Sequence, residues 1–213
     1  MAYAAAGADE LIVTCTDGPP AVVLPLVKAL SESLPIPLSL EAEVATTVEF
    51  AELLRSGVSR ISLQLAALRD PDLLAGLARE FGSEQLAVAI TARREQDVWR
   101  VSADLDGEPG EWDPVTWARV VEAQGAGELI VRSPDGGEHG EPFDLELLEA
   151  VTSAVRLPVV AAAAAGQVED LFDALMIGGA DAVALATPLH SGLLSVHDIK
   201  LYIAEHGLPV RLS

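Results

Sequence analysis

The chain repeats one pattern from end to end: a short run of branched apolar residues, then an amphipathic stretch of helix length. The runs are Leu11–Val13, Pro37–Leu40, Arg60–Leu63, Leu86–Ile90, Glu128–Val131, Pro158–Ala161 and Ala182–Leu185. Runs this short and this apolar read as strands of a parallel sheet, covered on both faces. Between them, apolar residues recur at helical spacing: Phe50, Leu53 and Leu54; Leu73, Leu74 and Leu77; Leu145, Leu147, Leu148, Val151 and Val155; Leu171, Leu175 and Met176. Asp70-Pro71 and Asp113-Pro114 read as an N-cap followed by a first-turn proline. Gly57, Gly82, Gly127 and Gly179 fall where a helix ends before the next strand. The longest connection, Arg93 to Asp113, carries Val98–Val101 and then Asp106-Gly107, which predicts a small hairpin. A β-α unit repeated seven times at about thirty residues each predicts a parallel sheet wrapped by helices. A closed (β/α)8 barrel and an open doubly wound sheet both fit. Thr14-Cys15-Thr16-Asp17-Gly18-Pro19, after the first strand, lacks the glycine fingerprint of dinucleotide binding, which argues against the second.

Composition narrows the function classes. At 213 residues the chain is read as a single domain, 1–213, with ample length for a core. Thirteen Lys and Arg stand against 33 Asp and Glu, a formal charge of −20. Such a surface repels a polyanion, so no nucleic-acid partner is expected. Half the residues are apolar, which separates this acidic chain from a disordered one. A single cysteine, Cys15, excludes an internal disulfide and a cysteine-based zinc cluster. No metal site and no cofactor are expected. No apolar run approaches the roughly 18 residues of a membrane helix, and Met1 to Asp9 has no basic leader segment. The expectation is a cytoplasmic protein with no membrane partner.

A resemblance then emerges from the residues in order. Gly7 to Val13, Ile61-Ser62 with Ala66-Ala67 and Asp70-Pro71, Phe81-Gly82-Ser83 and Val88-Ala89-Ile90 match one family. So do Trp117, Gly125 to Glu128, Phe143-Asp144, Ala165-Gly166, Gly179 to Asp181, His190 and Gly207 to Leu212. Nearly the whole chain resembles the HisF-like cyclase subunit of imidazole glycerol phosphate synthase, a histidine-biosynthesis (β/α)8 barrel. The resemblance implies an α/β, TIM-barrel-like fold with the first β-α unit missing and seven recognisable strands. It makes this chain a diverged and N-terminally shortened homologue.

The resemblance also implies two catalytic aspartates at the strand C-termini and two glycine-rich phosphate pockets. Here the first aspartate is missing with its strand, and Thr91 stands for the second in Ala89-Ile90-Thr91-Ala92-Arg93. A threonine hydroxyl is no general base near neutral pH. The family's third-strand Gly-Gly-Gly-Ile is Glu41-Ala42-Glu43-Val44, its fourth-strand Asn-Thr is Gln64-Leu65, and its seventh-strand glycines are Ala163-Ala164. Glycines there let backbone N–H groups approach a phosphate, whereas carboxylates repel it. On the sixth strand Arg132 to Glu138 keeps one of two aspartates, Asp135; on the eighth, Leu185-Ala186-Thr187 replaces Ala-Ala-Ser. The losses gather at the face where barrels keep their chemistry, while framework glycines and caps survive.

Three readings follow. In the first, the barrel has lost cyclase chemistry and works as a lyase- or cyclase-type enzyme on a non-phosphorylated small molecule. Its catalytic candidates are Cys15, Glu41, Glu43, Arg132 and Asp135, with Asp17, Gln64, Thr91 and Thr187 in substrate binding. A thiol nucleophile needs a nearby cation such as Arg132, and paired carboxylates such as Glu41 and Glu43 supply acid–base chemistry or hold an amine. In the second, the chain is a noncatalytic pseudoenzyme bound to a partner. Glu10, Arg60 and Glu128 match charges with which the family lines its partner face; they equally suit a salt-bridge network of the fold. A missing strand leaves two sheet edges, which favours a homodimer or a partner subunit. In the third, it is a histidine-pathway cyclase with a misannotated start.

Overall fold

The computed structural model describes residues 2–15, 22–96, 98–102, 110–134, 136 and 142–212. Asp17 and Asp135 lie outside them. Seven parallel strands alternate with helices, an α/β, TIM-barrel-like fold. The chain divides into two units: Met1–Ala89 with Val121–Glu128, and Ile90–Val120 with Leu129–Ser213.

The first unit holds α1 (Ala2–Ala5), β1 (Leu11–Thr14), α2 (Leu24–Ser33), β2 (Leu38–Glu41), α3 (Thr47–Arg55), β3 (Arg60–Leu63), α4 (Leu65–Arg69), α5 (Pro71–Phe81) and the start of β4 (Leu86–Glu95). Each strand pairs in parallel with the next, in chain order β1-β2-β3-β4. A doubly wound sheet has to reverse its strand order at a switch point; this succession does not. Leu38, Leu40, Ile61, Leu63, Leu86 and Val88 are all buried, as strands covered on both faces require. Leu11, Ile12 and Val13 of β1 are only half-buried, and β2 is the one neighbour of β1 among the unit's described residues.

The caps follow local chemistry. Asp70 accepts from the N–H groups of Asp72 (3.1 Å) and Leu73 (3.2 Å) and so opens α5. Thr46 and Glu49 form a reciprocal capping box on α3. Phe50 and Leu53 of α3 and Leu74 and Leu77 of α5 are buried, and the rings of Phe50 and Phe81 meet at 5.1 Å.

The second unit carries the rest of β4, then β5 (Val98–Ser102), most of α6 (Pro114–Ala123), β6 (Glu128–Arg132) from Leu129 on, α7 (Leu145–Thr152), β7 (Val159–Ala162), α8 (Val168–Met176), β8 (Ala182–Ala184), α9 (Thr187–His190) and α10 (Val196–Glu205). Strands β6, β7 and β8 again pair in parallel in chain order. Asp113 caps α6 through the N–H of Thr116 (2.8 Å). Leu147, Leu148 and Val151 of α7 are buried, as their spacing predicts. Met176 departs from its predicted place on an apolar face: at the last position of α8 it is 54 % exposed.

The hairpin differs from the expected one. Strand β4 runs past Ile90 to Glu95, and β5 folds straight back on it, from Glu95↔Val98 to Thr91↔Ser102. Gln96 takes the turn at φ 54°. Asp106 and Gly107 lie outside the described residues. The hairpin is pinned to α7. Asp144, 2 % exposed, accepts from the Trp99 indole N–H (2.7 Å) while capping Leu147 N–H (3.0 Å). Arg94 lies across the Trp99 ring and reaches Glu146 at 2.7 Å.

Gly57, Gly82 and Gly179 end their helices at positive φ, as expected. Gly127 does not: Gly125, two residues earlier, holds the left-handed turn at φ 96°. Gly127 is needed for a different reason, because a Cβ there would stand 2.0 Å from the carbonyl oxygen of Ser83. The expected effect of Gly127→Ala is a loss of about 2–4 kcal/mol, measured by urea unfolding, because backbone, not a flexible side chain, has to move.

Candidate functional site

Two groups of polar residues stand on one face of the first unit's sheet. They arise because side chains alternate across a strand. Ser39 and Glu41 share one face of β2, and Arg60 and Ser62 share one face of β3. The register sets Ser39 beside Arg60 and Glu41 beside Ser62, with Thr14 beside Glu41 on β1.

At the N-terminal end of the strands the three predicted charges come together. Arg60 Nη1 lies 2.8 Å from both carboxylate oxygens of Glu128, which is the less exposed partner at 14 %. Glu10 Oε2 stands 3.7 Å from the same nitrogen, and Ser39 Oγ donates to Glu10 Oε1. Arg60 Nε donates to the carbonyl of Glu84 at 3.2 Å. One cation is thus shared by two carboxylates and a carbonyl, a network that ties β3 to the chain segments on either side.

At the C-terminal end the two predicted glutamates part company. Glu41 closes β2 and is 8 % exposed. Glu43 lies beyond the strand and is exposed. Its carboxylate accepts from the N–H of Gln64 (3.3 Å) and of Ala66 (2.5 Å). Those N–H groups belong to the turn into α4, for which Gln64, 7 % exposed, is the N-cap. A side-chain anion therefore occupies backbone donors of the kind that hold anions at strand-to-helix turns.

Cys15 is half-buried, and its N–H donates to the carbonyl of Glu41 at 2.8 Å. That bond continues the β1–β2 ladder. Strand alternation then sets Cys15 on the face opposite Thr14 and Glu41.

In the second unit Thr91 is fully buried and stands opposite Ser102, also fully buried, in the β4–β5 hairpin. Arg132 ends β6, half-buried. Thr187 opens α9 and is exposed, as is His190 at its end. Among the described residues no group of three His, Cys, Asp or Glu is arranged to hold a metal. No helix among them is long and apolar enough to cross a membrane.

Ser62 was not among the predicted site residues. It is 1 % exposed, and among the described residues its Oγ has no hydrogen-bond partner. The signal was present in the alternation Arg60, Ser62, Gln64, which a reading of the run as wholly apolar passes over.

The Arg60 network makes an asymmetric prediction. Arg60→Ala removes the close pairing of the little-exposed Glu128 and is expected to cost about 1–3 kcal/mol. Glu10→Gln removes the longer, more exposed pairing and is expected to cost about 0.5 kcal/mol or less. Denaturant unfolding of both variants measures the difference, and equal losses would contradict the assignment of Glu128 as the main partner.

Sequence comparisons agree with this architecture. Residues 1–195 match the family described as "Histidine biosynthesis protein". The imidazole glycerol phosphate synthase subunit HisF of Dehalococcoides mccartyi is 37 % identical over 214 residues, 99 % of this chain and 85 % of that protein. The HisF subunit of Nostoc sp. is 38 % identical over 217 residues, covering 99 % and 84 %. That of Thermosynechococcus vestitus is 37 % identical over 220 residues, covering 99 % and 78 %. The parallel β-α succession and identity of this extent lead to one assignment: the chain belongs to the histidine biosynthesis protein family, among the HisF-like barrels.

Proposed function

We propose that this HisF-like chain has left imidazole glycerol phosphate cyclase chemistry and acts as a lyase- or cyclase-type enzyme on a non-phosphorylated small molecule, as a single cytoplasmic domain. The observation that carries the reading is the Glu43 carboxylate on the N–H groups of Gln64 and Ala66. A phosphate competing for those donors has to displace a tethered anion, and it meets the charge of Glu41 close by. The buried, hydroxyl-bearing Thr91, which stands for a family aspartate, offers no general base. Glu41, buried at the end of β2, is the carboxylate best placed for acid–base work. Cys15, Arg132 and Asp135 remain catalytic candidates, with Asp17, Gln64 and Thr187 for binding.

The test is a steady-state assay with the family's ribulosyl-formimino phosphate substrate and ammonia. No imidazole glycerol phosphate is expected. Turnover at the rate of an ordinary enzyme, about 1–10³ per second, would sink the proposal and restore the cyclase reading.

A second reading is a noncatalytic partner of another chain, a homodimer or a heteromeric subunit. The relatives are named as subunits, and Leu11, Ile12 and Val13 of β1 are only partly buried. An apolar strand of this kind recruits a neighbour. The net charge of −20 opposes self-association at low ionic strength. A homodimer is therefore expected to tighten as salt screens that repulsion. Light scattering across a salt series measures it, and a monomer at every concentration and salt level counts against a homodimer.

A further inference from the structure

The ladder between β1 and β2 fixes which backbone groups of β1 point outward. Leu11 N–H donates to the carbonyl of Pro37 (3.0 Å) and Cys15 N–H to that of Glu41 (2.8 Å). Alternate residues of a strand turn their N–H and C=O groups to the same side, so Leu11, Val13 and Cys15 serve β2. The N–H and C=O groups of Ile12 and Thr14 then point away from β2. None of these four groups has a hydrogen bond among the described residues. Thr14 is exposed, and Leu11, Ile12 and Val13 are only partly buried. Natural sheets blunt such an edge with Lys, Pro or a bulge. Leu11–Thr14 carries neither Lys nor Pro and pairs with β2 residue for residue, without a bulge.

We propose that β1 docks against β1 of a second copy of this chain, antiparallel across a two-fold axis, with Val13 opposite Val13 of the partner subunit. The edge complements itself in this register. In an antiparallel pair, facing residues whose backbone groups point at each other exchange two hydrogen bonds. With Val13 at the axis, Ile12 meets the partner's Thr14, and Thr14 meets the partner's Ile12. Every outward group of both strands is then used. With Ile12 or Thr14 at the axis, only that residue's groups pair within the strand. Leu11 and Val13 share a face with Leu38 and Leu40, which are buried, so the pair continues that apolar layer into the second copy. Charge permits the register. Leu11–Thr14 is uncharged. The two copies of Glu10 fall at opposite ends of the pair, about 20 Å apart at the rise of a strand, beyond the screening length of about 8 Å in 0.15 M salt. A two-fold contact closes on itself, so assembly stops at two copies. The inference deepens the second reading above and rests on its homodimer, to which it adds the surface and the register.

The experiment uses the full chain with Cys15→Ser, so that each introduced thiol is the only one. Val13→Cys, Ile12→Cys and Val48→Cys are mildly oxidised in low and high salt and run on non-reducing gels. Val48, 64 % exposed on α3, reports chance collisions. Residues facing each other in a non-hydrogen-bonded antiparallel pair have Cα atoms about 4.5 Å apart, within reach of a disulfide. The two copies of Ile12 lie on a diagonal at about 7–8 Å. Val13→Cys is expected to cross-link about tenfold faster than either of the others. Thr14→Pro removes an outward N–H and leaves the β2 ladder whole. It is expected to weaken the dimer seen by light scattering about tenfold or more. Thermal melts establish that each variant folds; if Thr14→Pro does not, the cross-linking decides. A dimer whose Val13→Cys form links no faster than Val48→Cys would overturn the β1 surface and leave the homodimer reading standing. Faster linking at Ile12 than at Val13 would overturn the register. A monomer at every concentration and salt level would overturn the inference together with the homodimer, and leave the edge to a different polypeptide.

Discussion

The pairing of Ser39 with Arg60 and of Glu41 with Ser62 sets which side chains share a face of the first unit's sheet. Every other polar feature there depends on it. Because the strand period is two, the same register sends Leu38, Leu40, Ile61 and Leu63 to the other face, where all four are buried. A slip of one residue would drive Arg60 and Glu41 into that apolar layer and turn the leucines toward the polar groups. The ion network at one end of the strands and the buried carboxylate at the other are thus consequences of one choice of pairing.

The two glutamates of the β2 segment illustrate how position outweighs residue type. They are two apart and carry the same charge, yet Glu41 ends the strand under cover while Glu43 reaches past it to the turn before α4. A carboxylate carried on the chain faces its N–H donors at a far higher effective concentration than a free anion does. It therefore keeps those donors occupied without a ligand. The electrostatic consequence is local: backbone donors that would attract an anion are already engaged.

The hairpin of the second unit shows a similar economy. By running β4 on to Glu95 the chain gives Thr91 a cross-strand partner position opposite Ser102, both out of water. Asp144 then serves three tasks at once, capping α7, receiving the Trp99 indole and standing 3.6 Å from Arg94. Few side chains but a carboxylate with two oxygens can do so, and only when nearly all its lone pairs are used does its burial at 2 % become tolerable.

Much of the fold was legible in the residues themselves. Apolar runs, helical spacing, the Asp-Pro caps and the chain-order succession of β-α units are local signals, and local periodicity is what a linear pattern records. The meeting of Glu10, Arg60 and Glu128 was legible only by resemblance, since residues from positions 10 to 128 have no local reason to converge. Three things were settled by tertiary structure alone. The close approach of Gly127 to the Ser83 carbonyl depends on two distant backbones, so a helix-end rule misassigned that glycine. The hairpin closes at Gln96 because β5 finds the edge of β4, which outweighs any single turn signal. The division of labour between Glu41 and Glu43, and the Ser62 hydroxyl that finds no partner among the described residues, come from where β2 stops and what lies beside it. Sequence determined which residues alternate; burial and register, which exist only once strands pair, decided what each of them touches.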